Sequence, residues 1–208
     1  ITPVFTGTTA NVRDVSLRNI NSSANPTIPT LTALTNLRNL TLIFDNAPIN
    51  LPGLTASGTL NISAGGAITD SGPSIVPGLS IFNANGFNIT LDDPGNNFGT
   101  VQLAGAGITL FNVSAVNLAG VQASGAFSLQ SLATLTVSSP ITSSSTVGLT
   151  SSSGDLVINA PVSAGGNLNL NAGQSVVASA PGTLASSGQV TVQAAGSVQL
   201  SGVTTGGG

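Results

Sequence analysis

The sequence predicts an all-β chain wound into a parallel β-helix, a three-faced β-solenoid with about 20 residues per coil. Three observations lead there. First, short apolar-x-apolar pairs recur at Ile89/Leu91, Ile108/Leu110, Phe127/Leu129, Val147/Leu149, Leu168/Leu170 and Val190/Val192, and consecutive pairs start 19, 19, 20, 21 and 22 residues apart. Side chains alternate across a strand, so each pair reads as a short strand burying two side chains in a common interior. Second, a parallel series runs in step at Val116/Leu118, Leu135/Val137, Leu156/Ile158, Val176/Ala178 and Val198/Leu200, spaced 19, 21, 20 and 22. Third, single residues follow at Val121, Ile141, Val162 and Val203, with Leu184 the nearest candidate in the gap. Three apolar beats per turn make a coil with three faces, and a period of this size marks a solenoid.

Taken in order, residues 1–53 stand apart. They hold all three arginines and five of the eleven prolines, Pro3, Pro26, Pro29, Pro48 and Pro52. Their apolar spacing is less regular, although Leu40/Leu42 anticipates Leu60/Ile62 and Leu79/Ile81. A solenoid needs an atypical end unit over its open interior, so this stretch reads as an N-terminal cap or as transition coils. Residues 54–208 read as the regular rod. Its corners are signalled by SGP at 71–73, DDPGNN at 92–97, SSP at 138–140, SSSGD at 151–155 and AGG at 164–166, where Gly and Asn would supply positive φ and Pro and Ser favour turn entry. The beat passes unbroken through the serine clusters at 143–145 and 151–153, which makes them outer positions of coils. Helical periodicity with caps is absent. The closing GVTTGGG carries no polar or helical cap, so that end reads as open. Length and period together predict about ten coils, a column of roughly 50 Å at a strand spacing of about 4.8 Å.

Composition bounds the partners. Of 208 residues only nine are charged, three Arg and six Asp, for a net charge of −3. No cation follows Arg38, so a phosphate-tracking surface cannot be built on the rod and nucleic acid is excluded as a partner. Aliphatic content is too high for a disordered Gly/Ser linker. There is no cysteine, hence no disulfide frame, and stability has to come from stacking. No apolar run reaches the length of a membrane-spanning helix, and the opening residues show no leader pattern, which suggests a processed or excised segment.

The passages SAGGAITDSG (63–72), GFNITLDDPGNNFGTVQL (86–103), GDLVINAPVSAGGNLNLNAG (154–173) and GQVTVQAAGSVQLSGV (188–203) resemble the repeats of filamentous haemagglutinin-type large bacterial exoproteins, secreted by the two-partner route. The likeness spans roughly residues 54–203 and rests on composition and period. The resemblance implies a right-handed parallel β-helix, export across the outer membrane, and service as the shaft of a cell-surface or released adhesin.

No catalytic constellation is visible. His, Cys, Lys and Tyr are absent, which removes the usual general bases and nucleophiles. The only adjacent carboxylates, Asp92 and Asp93, would point to opposite faces of a strand, a poor geometry for an acid and base pair, and they precede Pro94-Gly95 as turn residues do. DDPGNN is also the one calcium candidate, through Asp92, Asp93, Asn96 and Asn97, four hard-oxygen side chains in a Gly-containing turn. No cofactor is implied. Five Asn-x-Ser/Thr sequons occur, at Asn21, Asn39, Asn61, Asn88 and Asn112, either as glycan acceptors or, more simply, as Asn residues stacked in side-chain amide ladders. Phe87, Phe98, Phe111 and Phe127 are expected to stack in the core. Thr134/Thr136 is not repeated by its neighbours, which sets ice binding aside. The expected function is therefore an extracellular or outer-surface structural rod, the shaft of a secreted adhesin in contact with a host or cell surface. The alternative is a filament subunit that associates end to end through its terminal coils, and a polysaccharide-active β-helix enzyme is disfavoured.

Overall fold

The computed structural model describes residues 9–28, 31 and 33–206. Pro3 and Pro29 of the atypical start, and Gly207 and Gly208 of the glycine end, lie outside the described residues. The described chain forms a single 21-stranded parallel solenoid with one short 3-10 turn at Thr9–Asn11. Its coils take about 20 residues each. The first described coil is longer, since Asp14 aligns with Asn39, 25 positions on. At about 4.8 Å per coil the column is about 40 Å long.

The three beats of the sequence become the three faces. One face stacks Ile49, Ile68, Ile89, Ile108, Phe127, Val147, Leu168 and Val190 in direct register. A second stacks Val116, Leu135, Leu156, Val176 and Val198. The third runs the whole length, from Leu17 through Leu42, Ile62, Phe82, Leu103, Val121, Ile141, Val162 and Leu184 to Val203. Leu184 thus fills the gap in the thin series. Burial alternates along the strands of the middle coils, as in Phe127–Ser131 and Leu168–Ala172, and their aliphatic side chains form one continuous core, whereas in the last coil Val198 and Val203 are exposed.

Four details depart from the sequence reading. The inward pair after Leu60/Ile62 is Ser80/Phe82 and not Leu79/Ile81: Leu60 aligns with Ser80 and Ile62 with Phe82, while Ile81 faces outward opposite Asn61. The burial alternation keeps one phase from Gly72 through Ser74 and Val76 to Ser80 and Phe82, so Leu79 and Ile81 fall on the outward set. That phase places the Phe82 ring inside, edge-on to Phe98 at 5.6 Å between centroids and 80° between planes, with the small Ser80 beside it. Second, the chain does not turn sharply at SGP. Strand β5 (Ile68–Asn83), which follows β1 (Asp14–Asn19), β2 (Asn39–Phe44), β3 (Ile49–Thr55) and β4 (Leu60–Ala64), bends through that corner without leaving the ladder. Third, corner glycines mostly do not serve positive φ. Among the described residues only Gly53, Gly86, Gly120 and Asn85 adopt it. Gly165 of AGG is required by stacking instead, because a Cβ there would run into the carbonyl oxygen of Ser144 one coil away. Fourth, of the four phenylalanines expected in the core, Phe98 and Phe127 are buried, whereas Phe87 is 51% exposed at a corner and Phe111 is half-buried on an outer surface.

The stretch read as cap or transition coils holds β1, β2 and most of β3, each in parallel register with the following coil. Among the described residues, its first coil has a strand on one face only. On the next face a single bridge joins Thr27 to Asn50, and on the last two successive turns, Leu34 N–H to Leu31 O at 2.9 Å and Leu37 N–H to Leu34 O at 3.2 Å, point three leucines inward. The three-residue spacing of Leu31, Leu34 and Leu37 is the signal of that turn structure, and it is invisible to a search for period-two pairs.

Candidate functional site

DDPGNN lies at a corner, and apart from the exposed Asp92 carboxylate its side chains are engaged with one another, with Asp70 of the preceding coil and with neighbouring coils. The Asp70 carboxylate accepts from the Asn96 amide at 2.6 Å and from the backbone N–H groups of Asp92 and Asp93 at 3.2 and 3.4 Å. Asp93 Oδ1 accepts the Gly95 N–H at 2.8 Å, which closes an Asx-turn. Asn96 is fully buried and its Oδ1 accepts the Ser74 N–H at 2.8 Å. Asn97 Oδ1 accepts from the Ser114 hydroxyl. The oxygens of Asn96 and Asn97 that a calcium ion would use therefore already hold the coil together. Asp70 is the member that sequence reasoning missed, because its partners lie a full coil further on. Burial raises its carboxyl above the ordinary 3.8, against the lowering effect of its hydrogen bonds to Asn96, Asp93 and Asp92.

The five sequon asparagines occupy different environments. Asn112 is fully buried, with Oδ1 accepting the Phe98 N–H at 2.7 Å and its amide donating to Ser114 O at 2.8 Å and Phe98 O at 3.3 Å. A glycan cannot be attached there in the folded chain. Asn39 uses its amide on Asp14 at 2.7 Å and its Oδ1 to accept the Thr59 N–H at 2.9 Å. Asn88 Oδ1 accepts the Gly107 N–H at 3.0 Å, while Asn21 and Asn61 stand on the exterior. No side-chain amide ladder links these residues among those described. What recurs is a bond from side-chain oxygen to the backbone of the next coil: Asp155 accepts Ser175 N–H, Asn167 accepts Gln189 N–H, and Ser175 accepts Ser197 N–H. The amide ladder fails because each acceptor sits just before its strand, where the nearest donor is the backbone of the following coil.

A second recurring device was also missed. Buried serines at strand ends donate to a carbonyl of the previous coil while accepting an N–H two residues on. Ser131 bonds Ser114 O at 2.7 Å and Ala133 N–H at 3.3 Å; Ser143 bonds Gly125 O at 2.7 Å and Ser145 N–H at 3.2 Å; Ser186 bonds Gly166 O at 2.6 Å and Gly188 N–H at 3.1 Å. Asn112 occupies the register position of Ser131 one coil earlier. The serine clusters therefore contain inward, load-sharing positions as well as outer ones.

One outer column of the first face is uncharged and mostly polar. Thr69, Thr90, Thr109 and Ser128 align in adjacent rungs, followed by Gly148, Asn169 and Thr191. Phe111, Gln130, Thr150, Asn171 and Gln193 form the next column of the same face. Ion pairs are confined to the first coils, where Arg18 meets Asp45 and Arg38 meets Asp14. Among the described residues no three His, Cys, Asp or Glu side chains converge, and no helix is long and apolar enough to cross a membrane.

Comparison with known proteins adds one match. No curated protein and no solved structure matches the chain. Residues 37–104, the coils from β2 through the Phe82/Phe98 layer, are similar to a family described as repeats of unknown function, DUF5649.

Proposed function

We propose that this chain is a shaft segment of an extracellular bacterial surface adhesin. Its work is mechanical: it holds binding regions at a distance from the cell while resisting proteolysis, and it performs no catalysis. The observation that carries this reading is the unbroken parallel register of the third face from Leu17 to Val203, wrapped in a surface without a cation beyond Arg38. Each backbone group within the column bonds to the coil on either side, so a protease finds few free segments.

Immunogold labelling of intact cells of the source organism, with antibody raised against this segment, tests the reading. Gold at a fixed distance outside the cell envelope is expected. Label restricted to the cell interior, or appearing only after lysis, would overturn it.

A further inference from the structure

The nine charges of the chain are not spread along it. Five of them, Arg13, Asp14, Arg18, Arg38 and Asp45, fall in the first two coils, and the next ionisable side chain is Asp70. Four of the five pair off across the same strand boundary. At one end of β1, Arg38 Nε donates to Asp14 Oδ1 at 3.1 Å and Arg38 Nη2 to Asp14 Oδ2. At the other, Arg18 Nε and Nη2 donate to Asp45 Oδ2 at 3.0 and 2.8 Å. Both contacts are forked, and both join β1 to residues that flank β2.

Burial differs as sharply. In β2, Leu40 and Leu42 are fully buried and Phe44 nearly so, whereas β1 buries Val15 and only part of Leu17. Beyond Asp45, among the described residues, the rungs are held by backbone bonds, aliphatic burial and side-chain hydrogen bonds, with no ion pair between them. Rung β1 adds two ion pairs to its backbone ladder.

We infer that β1 is latched to β2 by two exposed ion pairs, so that salt or acid loosens this rung without loss of the coils beyond Asp45. The groups that decide its behaviour are Asp14, Arg38, Arg18 and Asp45, with the Arg13 carbonyl accepting the Arg38 and Asn39 N–H groups beside them; β2 itself contributes no ionisable side chain. Hydrogen bonding from Arg38 holds the Asp14 carboxyl below the ordinary 3.8, so its contribution is present above that value and is lost as pH falls through the folded value. The Asp70 shift runs the opposite way, so acid relieves the rod where it weakens the latch. When β1 leaves, the edge of β2 is bared together with Leu40 and Leu42, a template for another strand. Exposed pairs are individually weak and are screened within a Debye length, which suits a reversible latch and not a permanent staple.

Hydrogen–deuterium exchange on the intact chain tests this. Protection of the β1 amides relative to β4 should fall roughly fivefold between low salt and about 1 M salt. The double substitution Asp14→Asn with Asp45→Asn should produce the same fall at low salt and remove the salt dependence. Protection in β1 that is indifferent to both salt and the double variant would overturn the latch. So would loss of β1 and β4 in parallel, since the strand would then have no separate release.

Discussion

Asn112 and Asn88 carry the same sequon and differ in almost everything else. Replacing Asn112 with Ala strips the partner from the buried Phe98 N–H and leaves a void where the amide bridged two carbonyls, so a loss of about 2–4 kcal/mol is expected. Asn88→Ala removes one exposed bond to Gly107 and is expected to cost about 0.5 kcal/mol. Parallel urea melts of the two variants give both values, and equal destabilisation would contradict the burial argument. Asp70 supplies a pH signature. Its folded pKa lies above the ordinary 3.8, so the stability it contributes is complete below 3.8 and is lost as pH rises through the folded value. The difference in stability between the parent chain and Asp70→Asn should therefore move in favour of the parent on acidification. A difference that moves the other way in thermal melts across the carboxylate range would mean that the hydrogen bonds to Asn96, Asp92 and Asp93 outweigh desolvation.

At the scale of elements, period-two pairs identified the strands that bury two aliphatic side chains each. The register of Ile89 to Val190 and the place of Leu184 were legible because those side chains can satisfy the interior in only one way. The alternation misled at Leu79/Ile81, where the pair one residue later, Ser80/Phe82, continues the inward phase of Ser74 and Val76 and carries the larger side chain. It was silent on Leu31, Leu34 and Leu37, which reach the core from turns. The candidate corner was legible as a turn from Asp-Pro-Gly. The role of Asp70 was not, since 22 or more residues separate it from its partners and only the pitch of the coil brings them together. One element test follows from the arginines. Trypsin can cut only after Arg13, Arg18 and Arg38. A complete digest should leave residues 39–208 as one fragment that keeps its β-sheet circular dichroism, because each coil depends on its neighbours alone. A fragment that unfolds entirely would show that the first coil is essential to the rest.

For the molecule as a whole, a column of aliphatic rungs explains how a chain with so few charges and no cysteine holds one shape. Stability is summed along the axis, coil upon coil, and the exterior is free to be polar and featureless, as a spacer requires. The column exists only if each coil advances by one strand spacing. The absence of native cysteine allows a direct measurement: paired cysteines placed on the outer column of the first face and oxidised. Thr109→Cys with Ser128→Cys joins adjacent rungs, about 4.8 Å apart and within disulfide reach. Thr90→Cys with Ser128→Cys spans two rungs, about 9.6 Å, which a disulfide cannot bridge. Rapid intramolecular disulfide formation in the first pair and none in the second is the result predicted. Equal oxidation of both pairs, or of neither, would contradict a coil that advances one strand for each 19 residues between Thr90, Thr109 and Ser128.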